Sequence, residues 1–183
     1  MGFSGRYRIG SAAPGGLTIF KLAILTISDA GSRGEREDVS GDTVSEMMAS
    51  TSFQETRREL LPDEQELISE KLIEWCDSGD IDLVLTTGGT GLGPRDVTPE
   101  ATRKVIDLEV PGMAEAMRME SLNATPFAMI GRAVVGVRNG CLIVNLPGSP
   151  KAVRENLEVV LGVIPHAVEI LRGGQRHPTS GGG

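Results

Sequence analysis

The chain has 183 residues, 39% of them hydrophobic but only 3% aromatic, with 24 glycines and a net charge of −7. That length and composition describe a soluble globular protein whose core must rest on aliphatic side chains and Met. The acidic balance and the lack of any Lys/Arg run exclude a general nucleic-acid binder, but not a small anion held by backbone N–H groups and one or two local cations.

Cys76 and Cys141 are the only cysteines. They form no CxxC pair, and with His166 and His177 they make no zinc cluster, so they read as small buried hydrophobes in a reducing compartment. Residues 1–20 and 173–183 are loop-like and Gly-rich, and they are expected to be flexible, without a signal peptide or membrane span. One domain at 21–172 in a cytoplasmic protein is the expectation.

In chain order, Lys21–Ile27 (KLAILTI) is a continuous apolar run, the pattern of a strand buried on both faces of a sheet. A polar loop over Ala30–Val39 leads to a short helix opened by Ser40-Gly41-Asp42, with Val44, Met47 and Met48 on one face. Phe53–Leu60 alternates weakly as a strand. Asp63 can cap the helix Glu64–Asp77, which places Leu67, Ile68, Leu72, Trp75 and Cys76 on one side. Ile81–Thr86 is the next strand. Thr98 and Pro99 suit the N-cap and first position of a helix continuing through Ala101–Leu108. A Met-rich helix spans Met113–Leu122. Asn139-Gly140 between Arg132–Val137 and Cys141–Asn145 predicts a hairpin. One long helix closes the domain, its stripe running from Val153 to Leu171.

Alternating strands and helices with a late hairpin predict an α/β protein, three-layer α/β/α, with a mostly parallel central sheet and an antiparallel portion. Ligands of such sheets bind beyond the carboxyl ends of the strands. Three polar strand exits therefore carry the chemistry: Ser28-Asp29, Thr86–Asp96 (TTGGTGLGPRD) and Asn145–Pro150 (NLPGSP). The second is neither a Walker A loop nor a dinucleotide fingerprint. Its glycines suit phosphate cradling, with a structural turn as the alternative. A carboxylate beside phosphates implies an intervening cation, which makes Asp96 a candidate Mg²⁺ ligand and Asp63 a second one, against plain helix capping for Asp63. Gly148 and Ser149 offer donors to another anion or simply form a tight turn. Arg95 is a charge stabiliser or a surface side chain.

Taken together, TTGGTG and PRDVTPEAT (Thr86–Gly91, Pro94–Thr102), LPDE (Leu61–Glu64), SLNATPFAMIGR (Ser121–Arg132) and NLPGSP are far more specific than any one loop. From about Ile24 to Leu171 the chain resembles the molybdenum-cofactor biosynthesis family that includes MogA and the gephyrin G domain. The resemblance implies a MoaB/Mog-like fold and a molybdopterin adenylyltransferase. Such an enzyme transfers AMP from ATP to the molybdopterin phosphate, with Mg²⁺ as cofactor and pyrophosphate released. It also implies a homotrimer and a hand-off of product to a molybdenum insertase. By the same resemblance, Asp63 and Asp96 are the catalytic and metal-binding aspartates. Ser28, Asp29, Gly88, Gly89, Thr90 and Gly91 serve nucleotide phosphates, and Asn145, Pro147, Gly148 and Ser149 serve the pterin or its phosphate. Gly131 departs from the pattern, since relatives commonly carry Ser there. The rival readings are a MoaB-like molybdopterin-binding protein or scaffold without adenylyl transfer, and a nucleotide hydrolase.

Overall fold

The computed structural model describes residues 18–173. The terminal segments expected to be flexible therefore fall almost wholly outside the described residues. Elements follow in the order β1 (Phe20–Ile27), α1 (Asp29–Ser32), α2 (Val39–Met48), β2 (Phe53–Leu61), α3 (Gln65–Asp77) and β3 (Leu83–Thr87). Next come α4 (Thr98–Val105), β4 (Leu108–Glu109), α5 (Pro111–Ala124), a 3-10 turn at Pro126–Ile130, β5 (Val135–Arg138), β6 (Cys141–Leu146), α6 (Pro150–Leu161) and α7 (Ile164–Leu171).

The six strands form one sheet in the order β2-β1-β3-β6-β5-β4. Strands β2, β1, β3 and β6 run parallel, while β5 and β4 pair antiparallel at one edge. The expected mixed α/β sheet with its late hairpin is what forms.

Both faces of the sheet are covered, which is why KLAILTI is apolar at nearly every position. Successive side chains of a strand alternate between faces. On one face Leu22, Ile24, Leu83, Leu85, Leu142 and Val144 pack against Val44, Met48, Met113, Met117, Val153, Leu157 and Ile164 of the helices. On the other, Ala23, Leu25, Ile27, Val84 and Ile143 meet Ile68, Leu72 and Trp75 of α3 and Ala101 and Val105 of α4. Cys76 and Cys141 are both buried in this second layer as free thiols.

Four local expectations are corrected. The loop Ala30–Val39 begins as the one-turn helix α1, because Ser28 Oγ accepts from Gly31 N at 3.1 Å. Helix α2 starts one residue before Ser40 and is capped by Asp38, whose carboxylate accepts from Gly41 N. Helix α4 stops at Val105, since Ile106 is extended, and Leu108–Glu109 becomes an edge strand paired to Val137 and Gly136. The closing helix is two helices, broken between Leu161 and Ile164. Pro165 explains that break: it lacks an N–H, and its ring would clash with the carbonyl of Leu161 in a continuous helix.

Away from the carboxyl edge of the sheet, Asp82 ties the residue after α7 to β1. Its carboxylate accepts from Lys21 N at 2.6 Å and from Arg172 Nε and Nη2 at 2.5 Å each. The Arg172 guanidinium lies 4.9 Å from the Phe20 ring centroid. Replacing Asp82 by Ala leaves the Lys21 N–H and a half-exposed guanidinium without their acceptor. The expected cost is about 2 kcal/mol of stability, read as a lower urea midpoint at unchanged m-value. An unchanged midpoint would show that Asp82 and Arg172 do not hold α7 to β1.

Candidate functional site

The parallel register puts Ile27 opposite Leu61, Thr26 opposite Thr87, and Thr87 opposite Leu146. Four strand exits far apart in sequence therefore open onto one edge, next to the point where the strand order reverses between β1 and β3.

The glycine-rich exit is tightly wedged. Gly88 has φ +99°, and a Cβ there would lie 2.2 Å from the Ile27 carbonyl oxygen, so the position admits only glycine. Gly148 sits so close to Gly88 that its own Cβ would come within 3.2 Å of Gly88 Cα. Side chains lace the same junction: Thr87 Oγ1 donates to Pro147 O at 2.8 Å, Thr98 Oγ1 to Gly88 O at 2.9 Å, and Ser40 Oγ to Gly148 O at 2.6 Å. Beyond it the loop is closed by Gly93 N, which donates to Asp96 Oδ2 at 2.7 Å.

Arg132 clasps this loop from outside. Its backbone N–H donates to Thr90 O, Nε to Gly91 O and Nη2 to Asp96 O, while Nη1 binds the Glu100 carboxylate of α4. A neutral or shorter side chain cannot span these loop acceptors and a carboxylate at once. Arg132 stands in the sequence at the end of SLNATPFAMIGR, but its partners are mostly backbone carbonyls, which no pattern displays.

Asp29 and Asp63 bind each other reciprocally across β1 and β2. Asp29 N donates to Asp63 Oδ2 at 2.8 Å, and Asp63 N to Asp29 Oδ1 at 3.0 Å. Glu64 holds the N-cap position of α3 and no side chain caps that helix, so Asp63 is not its cap. Arg95 forks onto Asp29 at 3.0 and 2.9 Å. That guanidinium and the Asp63 N–H hold the Asp29 carboxyl down to about 2. The Asp63 carboxyl moves the other way: partial burial raises it, and the negative Asp29 and Asp96 nearby add to the rise. Two neighbouring carboxylates thus diverge because one has a cation and the other is buried among like charges.

Two clefts open at this edge. The first, about 450 Å³, runs from Gly89, Thr90 and Gly91 past Pro147 to a wall of Ala114, Met117, Phe127 and Ile130, with Arg118 and Asn156. The second, about 540 Å³, is floored by Ser28, Asp63, Thr87 and Gly88 and flanked by Arg36, Asp38 and Ser149. Both are bordered by Gly89, Asp96 and Gly148.

Most of the expected site residues therefore come together. Asp29 lines neither cleft and is held between Asp63 and Arg95. The Ser149 hydroxyl accepts from Ala152 N at 3.2 Å as the cap of α6. Asn145 stands apart: it is fully buried, and its amide accepts from Val134 N and donates to Thr86 Oγ1 and Thr102 Oγ1. Its side chain locks β3, β6 and α4 together beneath the clefts and lines neither. Of the apolar wall, Ala114 and Met117 of α5 read in the sequence as part of an ordinary amphipathic helix, while Phe127 and Ile130 of the 3-10 turn stand within SLNATPFAMIGR but carry no pattern that marks them as cleft lining.

The fold and this edge define an α/β protein of the doubly wound kind, in which ligands bind where strand exits converge. More narrowly, residues 23–166 match the family described as "Probable molybdopterin binding domain", and the chain belongs to that family. It is 45% identical over 154 residues, 83% of this chain and 88% of the other, to a protein of Helicobacter pylori strain J99 named molybdopterin adenylyltransferase. The protein of that name in Escherichia coli strain K12 is 40% identical over 173 residues, covering 86% and 88%. The crystal structure of the molybdopterin biosynthesis enzyme MoaB of Thermus thermophilus superposes with a TM-score of 0.81 at 52% identity, covering 85% of this chain and 98% of that one.

The electrostatic assignment has a direct readout. In a carboxyl-carbon NMR titration, Asp29 is expected to titrate near 2 and Asp63 above the ordinary carboxylate value of about 3.9. Arg95→Gln removes the cation from both, so both midpoints rise, Asp29 by more. Because its folded value is depressed, Asp29 contributes stability above the unfolded carboxylate value that fades as the pH falls toward 2. An Asp29 midpoint unmoved by Arg95→Gln would overturn the pairing.

Proposed function

We propose that the chain is a molybdopterin adenylyltransferase that uses ATP and molybdopterin. The observation that carries this reading is the pair of unlike clefts sharing Gly89, Asp96 and Gly148. An apolar-walled cleft suits a pterin ring and a polar, glycine-floored one suits a nucleotide. Atoms of both ligands can then meet only at the shared border. The names of the relatives at 40–45% identity support the same chemistry.

In this reading an oxygen of the molybdopterin phosphate attacks the α-phosphorus of ATP in line. The bond to the β-phosphate oxygen breaks, and pyrophosphate leaves with its charge. The chain's part is positioning and charge control rather than a covalent nucleophile. The backbone of Gly89 at the shared border, with Thr90 and Gly91 on the pterin side of it, can offer N–H groups to phosphate oxygens, and Arg132 holds that backbone in place. The wedged Gly88–Gly148 contact fixes the distance between the two clefts.

Mg²⁺ fits the donor set. Asp63 and Asp96 both border the second cleft, and Asp63 is destabilised by neighbouring negative charge that a cation would relieve. No three His, Cys, Asp or Glu side chains among the described residues form a cage, which matches an ion held by one or two carboxylates plus substrate phosphates. When bound, it would neutralise charge building up on the leaving pyrophosphate.

The reading includes one domain at 21–172, a homotrimer, a cytoplasmic location, and delivery of product to a molybdenum insertase. Exposed Met119, Phe127 and Met129 give an apolar surface for self-association. No helix among the described residues is long and apolar enough to cross a membrane. A second reading is a MoaB-like molybdopterin-binding protein without adenylyl transfer; the Thermus protein at 52% identity is described as a molybdopterin biosynthesis enzyme, words that state no reaction.

Pyrophosphate release from ATP and Mg²⁺, with and without molybdopterin, separates these readings. Release that requires molybdopterin is expected, with a loss of roughly a hundredfold or more in Asp96→Asn and in Asp63→Ala, by removal of one charged ligand each. Binding without release establishes the second reading, and release without pterin a hydrolase.

Gly131 gives a gain-of-function test. A Cβ there would meet only the Ala128 carbonyl, at 3.3 Å, and the residue borders the pterin-side cleft. Gly131→Ser is expected to tighten molybdopterin binding severalfold by one added hydroxyl donor, with the melting temperature nearly unchanged. Weaker binding would show that the position is filled by backbone alone.

A further inference from the structure

The pterin-side cleft contains a cation that neither motif nor family resemblance singled out. Arg118, midway along α5, borders it together with the carboxylates Asp96 and Glu155, and among the described residues no other Lys or Arg lines it. Its Nε donates to the Gly131 carbonyl at 3.2 Å. Among the described residues no carboxylate lies within 4.0 Å of its guanidinium, although ten of the sixteen ion pairs there use an arginine. Glu155 is occupied elsewhere, 3.6 Å from Lys151.

Gly131, the anchor of Arg118, precedes Arg132, whose backbone N–H donates to Thr90 O at 3.0 Å. The guanidinium is thus tethered one residue from the segment that touches the glycine-rich loop, at the border of an apolar-walled cleft. A forked donor in that setting suits a phosphate.

We propose that Arg118 binds the phosphate of the pterin substrate and sets the cleft's preference for phosphorylated over unphosphorylated pterin. A doubly negative group brought to the border beside Asp96 is repelled by that carboxylate. Arg118 supplies the compensating charge from the pterin side, while Asp63 lines the nucleotide side and Asp96 borders both. The proposal rests on the assignment of this cleft to the pterin.

The experiment measures equilibrium binding of molybdopterin and of its dephosphorylated form to wild-type protein, Arg118→Gln and Arg118→Lys, without ATP or metal, alongside the KM for ATP in the transferase assay. The expected result is a Kd for molybdopterin raised by roughly ten- to a hundredfold in Arg118→Gln, the range for losing a charged hydrogen bond. The Kd for the dephosphorylated pterin and the KM for ATP stay within about twofold by the same argument, and Arg118→Lys recovers part of the loss. Wild-type affinity for molybdopterin should also fall with added salt, and that dependence should weaken in Arg118→Gln.

Equal weakening toward both pterins would make Arg118 a cleft wall only, and the assignment would fall. An unchanged molybdopterin Kd, or a raised KM for ATP, would overturn it outright. Should Arg118→Gln melt early, Arg118→Lys is compared by the ratio of the two pterin Kd values, which a loss of folded protein does not move. Wild-type protein that binds molybdopterin selectively but releases no pyrophosphate removes adenylyl transfer while supporting the phosphate contact; wild-type protein that binds neither pterin overturns both.

Discussion

The contact between Gly88 and Gly148 is the constraint on which the rest of the site depends. Two strand exits, from β3 and β6, must come together until backbone touches backbone, and any Cβ at Gly88 would strike the Ile27 carbonyl at 2.2 Å. Parallel neighbours in a sheet are about 4.8 Å apart, so exits from adjacent strands meet naturally if nothing intervenes. Removing side chains at this one place brings Asp96, Gly89 and Gly148 to a common border and makes two clefts out of one edge. Asn145 supports that arrangement from below. Its buried amide joins Thr86 of β3 to Thr102 of α4 and to Val134 N ahead of β5, so the exits above it cannot slide independently.

The charges at this edge are only partly matched. Three aspartates converge where phosphates are expected, an arrangement unfavourable in isolation. Arg95 pairs directly with Asp29 and offsets Asp63 only from a distance, which leaves Asp63 and Asp96 as the surplus. A site that neutralised all three would hold no affinity for a cation, and one that neutralised none would destabilise the fold. Arg132 is withheld from this balance, being committed to loop carbonyls and Glu100. Its charge stiffens the loop instead of competing for ligand.

The sheet was legible because its strands are buried on both faces, so KLAILTI could be read without knowing its neighbours. Helix α3 was equally legible from Ile68, Leu72 and Trp75. Leu108–Glu109 was not: two exposed residues carry no period, and only pairing with Val137 and Gly136 makes them a strand. The break before α7 was written in Pro165 but masked by an apolar stripe that stays in phase across it. For the site, residue type located the glycine loop and the aspartates, because glycine and carboxylate have few reasons to cluster at a strand exit. Asn145 shows the limit of that argument. Its place in NLPG suggests a ligand, yet an amide satisfies buried backbone as readily, and burial decides between the two.

The unlikeness of the two clefts also bears on the order of events that the fold permits. Asp96 borders both, and its carboxylate is turned back onto Gly93 N at 2.7 Å, closing its own loop. Filling either cleft with a phosphate places negative charge against that carboxylate and favours a rotation away from Gly93 toward a cation. The loop that carries Gly91 and Gly93 would then lose one internal tie while Arg132 keeps its hold on Gly91 O and Asp96 O. The backbone cradle can therefore stay in position while the carboxylate changes partner. A phosphate-transfer site needs that separation, since preorganised donors lose their effect if they move with the charge they stabilise.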